Sequence, residues 1–351
     1  MIKFGKKLSD VFSIKKNFYL ENDILLKKQK KISKIYKKQP LRKNCKACNK
    51  KLKGKRFLNH TVTYIECNFC GHINGKHQDT EKFSDLIYKS NSINYSKNYY
   101  SKNLINFKNR QKKIYNPKAI FLKEGIKEWK KMKILDFGCG SGYFVSSLTD
   151  SGFRNVRGCE VSLDQINYGK KIFRLLKKDE QLIYYVDSDN IFDEIKRTDA
   201  TCISVIGVLE HLVDLQKFLN TVKFNKSIKY IYLCVPMFSL SSIVENSFDN
   251  IFNRQLGGGH THLFTEQSLK NMMKKINFKE ISTWWFGSDF SDLLRSFMVK
   301  ANKKNEKPLI NQLKKIQNQI DSLQLILDKK KMSSQVHMIL KRQKETNSEN
   351  I

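Results

Sequence analysis

The sequence predicts an α/β fold, a sheet with helices on both faces, preceded by a small cysteine-built module. Three observations carry this. From residue 133 onward, strand-like and helix-like stretches alternate. At the head of that alternation, "KILDFGCGSG" (133–142) runs from a buried-strand pattern into three closely spaced glycines. Ahead of it stand two CxxC pairs, Cys45/Cys48 and Cys67/Cys70, with 18 residues between them.

Ile134, Leu135 and Phe137 suit a buried strand. Gly138, Gly140 and Gly142 contribute no packing area; they let the backbone turn tightly and approach a ligand. Phe144, Val145 and Leu148 then follow at helical spacing. Strand, glycine turn and helix together aim the open N–H groups of a helix start at a bound group. Further strands are predicted at 155–160, 182–187, 200–206, 229–235, 278–286 and 335–341, seven with 133–137. In such a sheet, ligands bind beyond the carboxyl ends of the strands. Two of those ends carry acids: Glu160, and Asp187 followed by Ser188 and Asp189. A carboxylate such as Glu160 can accept hydrogen bonds from both hydroxyls of a ribose.

Each CxxC pair presents two thiolates to one ion, and "TVTYIEC" reads as the strand that returns the chain between them. The spacing fits a four-cysteine structural zinc site. Four thiolates complete the coordination, so the site serves folding rather than chemistry. His60 and His72 are read as ordinary polar residues beside it. Cys139, Cys159, Cys202 and Cys234 stand singly in apolar stretches and are read as core residues of a reducing compartment.

The chain has 351 residues and 40% hydrophobic content, enough for one large domain or one with appendages. No apolar run is long enough to span a membrane and no signal peptide is evident, so a cytoplasmic location is expected. The net charge is +33, from 66 basic and 33 acidic residues. Cationic surface invites nucleic acid. Only ten of the basic residues are arginine, however, and the lysines spread along the whole chain, which argues for compositional bias. Residues 1–40 are lysine-rich with apolar positions at Leu20, Ile24, Ile32 and Ile35; they predict a helix on the body or a loose tail. Tyr95, Tyr99 and Tyr100 are candidates to shape a pocket. Leu309, Leu313, Ile316, Ile320, Leu323 and Leu327 form a stripe read as a helix packed on its own sheet rather than a coiled coil.

The blocks "ILDFGCGSG", Glu160, "DATCISVIGVLEHLVD" (199–214) and "YIYLCVP" (230–236) resemble class I S-adenosylmethionine-dependent methyltransferases in order and spacing. With the cysteine module, "GGGHTHLFTEQSLKNMMKKINF" (257–278) and "WWFGSDFSDLL" (284–294), the chain is similar to bacterial methyltransferases with an N-terminal zinc-binding domain. Several of those act on nucleotide-linked deoxysugars or in surface-polysaccharide pathways.

The resemblance implies a Rossmann-like, seven-stranded methyltransferase sheet and binding of S-adenosyl-L-methionine. Asp136 and the Gly138–Gly140–Gly142 loop would hold the methionine end, Glu160 the ribose, Asp187 and Ser188 the adenine, while Val208 and Leu209 would wall the cofactor. A base is needed where the acceptor loses a proton. Glu210 and His211 in "LEHL" and His260 and His262 in "GGGHTHLF" are the candidates, the glycines before the latter suggesting a mobile flap. The implied organisation is an extension (1–40), a zinc module (41–76), a tyrosine-rich connector (77–117), a methyltransferase domain (118–343) with a helical insertion at about 289–330, and a tail (344–351). The implied acceptor is a small molecule, a sugar or nucleotide-sugar methylated at carbon or oxygen. An RNA acceptor gripped by the lysines, and a scaffold without catalysis, are the rival readings.

Overall fold

The computed structural model describes residues 1–10, 20–88, 103–257 and 260–344. Tyr95, Tyr99 and Tyr100 lie outside the described residues. In chain order the elements begin with strand β1 (Ile2–Phe4), helix α1 (Asn22–Tyr36), strands β2 (Arg56–Asn59), β3 (Val62–Glu66) and β4 (Ile73–Gly75), and helix α2 (Glu81–Tyr88). Helices α3 (Leu104–Arg110) and α4 (Asn116–Gly125) follow, joined by one π turn. The alternating part comprises β5 (Lys133–Phe137), α5 (Tyr143–Asp150), β6 (Asn155–Glu160), α6 (Leu163–Leu175), β7 (Ile183–Tyr185), α7 (Ile191–Arg197), β8 (Cys202–Ile206), α8 (Leu215–Phe224) and β9 (Tyr230–Pro236). It closes with α9 (Leu240–Ser247), β10 (His262–Leu263), α10 (Glu266–Lys275), β11 (Phe278–Trp285), α11 (Asp289–Lys303), α12 (Lys307–Gln317), α13 (Ile320–Lys329) and β12 (Gln335–Arg342).

The main sheet runs β1-β11-β12-β9-β8-β5-β6-β7. β9, β8, β5, β6 and β7 are parallel, as helical crossovers require, and β12 enters antiparallel. β5 sits near the middle, with Ile134, Leu135, Asp136 and Phe137 all buried. Two apolar layers cover the faces. One holds Phe137, Val205, Phe218 and Met338; the other holds Phe121, Phe144, Phe173 and Trp284. Cys139, Cys159, Cys202 and Cys234 are all buried, as small apolar fillers.

The sheet has eight strands, not the expected seven. The eighth, β1, comes from the lysine-rich extension and pairs parallel to β11, Ile2 opposite Thr283 and Phe4 opposite Trp285. Three residues are too few to show a period of two, so the sequence gives no strand signal there. The Trp284 indole N–H donates to the Gly5 carbonyl at 2.8 Å and pins the segment after β1. Residues 22–36 of the extension form α1 and are no loose tail either. α1 buries Leu26, Ile32 and Tyr36, while Leu20 and Ile24 are exposed. The 309–327 stripe is broken between α12 and α13, so it is neither one helix nor a coiled coil. Leu309 and Ile316 are exposed, and Ile320 packs with Leu8, Leu294 and Met298.

A second, four-stranded sheet runs β10-β4-β3-β2. Three of its strands come from the cysteine module. The fourth, β10, comes from beyond residue 260 and pairs antiparallel with β4, His262 opposite Asn74.

Replacing Trp284 by Phe leaves the Gly5 carbonyl without its donor, and is expected to cost about 1 kcal/mol. Replacing it by Ala also empties a fully buried site and should cost roughly 3–5 kcal/mol. Urea unfolding of both variants measures the difference.

Candidate active site

Because β5 lies between β6 and β8, the loops leaving all three strands meet at one end of the sheet. The turn after β5 is left-handed at each glycine, with φ of 74° at Gly138, 55° at Gly140 and 76° at Gly142. At Gly138 and Gly142 side chains are excluded by space as well. A Cβ on Gly138 would stand 2.7 Å from Val208 Cγ2, and one on Gly142 would stand 2.9 Å from Phe173 Cζ. The Gly138 and Cys139 N–H groups donate to the Cys159 carbonyl, stitching the turn to β6. Ser141 Oγ is buried with no hydrogen-bond partner among the described residues, at the mouth of α5.

Glu160 ends β6 and reaches back to the same turn. Its Oε2 accepts from Gly140 N at 2.9 Å; its Oε1 accepts from Val161 N at 2.8 Å and Ser162 N at 2.9 Å. Burial raises its pKa, and these N–H groups act against that rise. Three acceptor directions of the carboxylate are used and one is left, on Oε2. Asp136 lies beneath, accepting from Ser204 Oγ at 2.6 Å. Burial pushes it up to about 7, against the Ser204 bond. Asp187 is exposed after β7, where its Oδ1 accepts from Asp189 N at 3.0 Å; Ser188 is half-buried. Val208 is half-buried against the glycine turn. Leu209, the other residue expected to wall the cofactor, is 1% exposed and packs in the apolar core with Phe137 and Leu215.

Three of the four candidate bases come together. One ligand atom each of Glu210, His211 and His260 lie within 4.8 Å of one another. Glu210 and His211 ride a single 3-10 turn after β8. His260 arrives from the far side, its ring centroid 5.2 Å from that of His211. His260 Nδ1 lies 2.9 Å from the Gln255 carbonyl, which accepts only, so Nδ1 carries the proton and Nε2 the lone pair. Burial pushes Glu210 up to about 8, pulls His260 down to about 4 and holds His211 well below its usual range.

His262 stands apart, fully buried in the four-stranded sheet, with its Nδ1 2.9 Å from His72 Nε2. His72 is accordingly a core residue, not an ordinary polar one. Gly258 and Gly259 of the expected flap lie outside the described residues. The backbone before them is held firmly: Glu245 accepts from Gln255 N, Gln29 Nε2 donates to the Asn253 and Leu256 carbonyls, and Ser33 Oγ donates to the Gly257 carbonyl.

The four cysteines gather as their spacing implies. Cys45 and Cys70 sulfurs lie 3.6 Å apart, and those of Cys48 and Cys67 lie 3.8 Å apart. Two thiolates on one tetrahedral zinc stand about 3.8 Å apart, from a bond of about 2.3 Å. Each knuckle is followed by a left-handed residue, Asn49 and Gly71.

Two lysines were not foreseen. Lys118 of α4 is 6% exposed, and Lys6 is half-buried after β1. Neither has an ion pair among the described residues; they lie over the rings of Tyr115 and Phe286. Lys118 is close enough to act electrostatically on both Asp136 and Glu210. Burial, aided by Lys118, pulls Lys6 down to about 7.

The profile of the family described as "Methyltransferase domain" matches residues 108–283, half of the chain. The chain belongs to this methyltransferase family. It is an enzyme, an S-adenosylmethionine-dependent methyltransferase. No curated protein is similar enough in sequence to match. Similar solved structures include the methyltransferase domain of bacterial CtHen1-C, with 15% identity, 69% of this chain and 100% of that one covered, and a TM-score of 0.43. Another is geranyl diphosphate C-methyltransferase from Streptomyces coelicolor, with 13% identity, 70% and 85% coverage, and a TM-score of 0.41. A third is a SAM-dependent methyltransferase from Archaeoglobus fulgidus, with 17% identity, 67% and 98% coverage, and a TM-score of 0.41. Among the described residues of this methyltransferase, no helix is long and apolar enough to cross a membrane.

Gly138→Ala should destabilise the protein by roughly 1–3 kcal/mol, from left-handed strain plus the collision with Val208. Adding Val208→Ala removes the collision and leaves the strain. A double-mutant cycle by thermal unfolding should therefore show partial recovery.

Proposed function

We propose that this methyltransferase transfers a methyl group from S-adenosylmethionine to the oxygen or carbon of an anionic small molecule, a sugar or nucleotide-sugar. The carrying observation is buried Lys118, without an ion pair among the described residues and close enough to Glu210 of the Glu210–His211–His260 cluster to act on it electrostatically, with Lys6 in turn within electrostatic reach of Lys118. The lysines suit a phosphate or carboxylate on the acceptor, and the cluster suits removal of its proton.

The residues present fit the donor. The left-handed turn opens N–H groups of the α5 start toward a carboxylate, and the orphaned Ser141 hydroxyl lies beside them. Glu160 keeps one acceptor direction for a ribose hydroxyl, Asp187 and Ser188, after the neighbouring strand β7, are assigned the adenine edge, and Val208 packs against the turn. Asp136 supports the turn from below. When bound, S-adenosylmethionine supplies a methyl on a sulfonium centre, which the acceptor takes with its own electron pair while the S–C pair stays on sulfur. The chain's task is then placement in line and removal of one proton from the acceptor. Cys45, Cys48, Cys67 and Cys70 hold a structural zinc ion, and His262 supports the sheet beside it.

RNA as acceptor has one observation in its favour, a cavity of about 510 Å³ whose lining includes Lys27, Lys30, Lys31 and Lys34, with Lys303 paired to Asp23. RNA binding there would weaken steeply with salt.

Calorimetric titration with S-adenosylmethionine and S-adenosylhomocysteine tests the donor assignment. Micromolar binding is expected, weakened at least tenfold by Glu160→Ala, with about one zinc per chain by metal analysis. A folded, zinc-loaded protein that binds neither compound would overturn it. Nucleotide-sugars screened by mass for one added methyl test the acceptor, and Lys118→Met should raise KM more than it lowers kcat.

A further inference from the structure

We propose that Glu210, His211 and His260 hold a divalent cation, a second metal site distinct from the four cysteines, on which the acceptor's hydroxyl is bound and deprotonated. This deepens the methyltransferase reading above and rests on it.

The donor set is one carboxylate and two imidazoles, with ligand atoms all within 4.8 Å of one another. Three ligand atoms each about 2.1 Å from one ion stand at most roughly 3.6 Å from one another. Each atom therefore has to move inward by no more than about 0.7 Å, within reach of a side-chain adjustment.

Two independent observations point to a ligand there. Glu210 is 6% exposed and its Oε2 has no hydrogen-bond partner among the described residues. A buried carboxyl oxygen without a partner is costly unless the group is protonated or something cationic meets it. His260, in turn, gives its Nδ1 proton to the Gln255 carbonyl at 2.9 Å. An imidazole that donates one nitrogen to a backbone carbonyl and keeps the lone pair on the other has the outer-shell arrangement typical of metal-bound histidine. Glu245 fixes that carbonyl's residue, accepting from Gln255 N at 2.8 Å.

Mixed nitrogen and oxygen ligands suit manganese, iron, cobalt or zinc rather than calcium. Three protein ligands leave positions open, unlike four thiolates. An acceptor with two neighbouring oxygens, such as a vicinal diol, would fill them. Its hydroxyl proton leaves to water, the oxygen keeps the electron pair, and that pair then takes the methyl.

Manganese is the probe, because the four thiolates select zinc. The zinc-loaded full chain is titrated with Mn2+, followed by calorimetry and by electron paramagnetic resonance of the free ion. One bound Mn2+ per chain is expected, in the micromolar range. Glu210→Gln and His260→Asn should each weaken it at least tenfold while S-adenosylmethionine binding persists. Wild-type protein that binds S-adenosylmethionine but takes up neither Mn2+ nor Co2+ near 1 mM overturns the metal site alone. Mn2+ binding unchanged in both variants overturns it as well. Loss of S-adenosylmethionine binding by wild-type protein overturns the donor assignment instead. Should either variant fail to fold, the wild-type titration still decides.

Discussion

Everything at the carboxyl end of the sheet depends on how closely two loops can pass. β5 and β8 are hydrogen-bonded neighbours, so the turn at 138–142 and the turn at 207–211 leave the sheet side by side. The missing Cβ of Gly138 is the space that Val208 occupies. One turn is the one proposed to serve the donor, and the other carries Glu210 and His211. Their contact sets the distance between the place where the methyl would rest and the group that would free the acceptor's electron pair. Glu160 fixes the first turn from the β6 side, so the donor loop is clamped between its two neighbouring strands.

His260 completes the cluster from a distant part of the chain and needs its own support. Glu245 grips the backbone of residues 254–256, and Asp292 receives Arg254 in a fork of hydrogen bonds. Asp289 binds Ser239, Ser241 and Ser334, joining α11 to the start of α9 and to the loop before β12. Buried carboxylates are tolerated only when fully engaged, and these are engaged by the segments that must be placed. α11 thus acts as a brace, and α1 supplies a second through Gln29 and Ser33.

The sequence showed most clearly what local backbone chemistry dictates. Gly138, Gly140 and Gly142 announce a left-handed turn because few other residues tolerate it. The cysteine pairs announce themselves by spacing. Pairings between distant segments left no such trace. β1 is three residues long, and its partner lies some 280 residues away. Lys6 and Lys118 are two lysines in a lysine-rich chain, and only their burial sets them apart. Whether His260 or His262 reaches the cluster depends on where β10 starts to pair with β4, which neither histidine encodes. Leu209, read as a cofactor wall, is drawn into the core by the 3-10 turn that brings Glu210 and His211 round.

β10 has a consequence for how such a chain can be altered. By sequence, the cysteine module ends near residue 76; by hydrogen bonding, it includes His262 and Leu263. The Tyr64 hydroxyl donates to the His260 carbonyl and accepts from Gly257 N, and the Thr261 carbonyl accepts from Gly75 N. A module exchanged between relatives at the apparent seam would carry away three strands of a sheet and leave the fourth behind, two residues from His260. Recombination, in nature or in the laboratory, would have to move both segments together to keep the catalytic end intact.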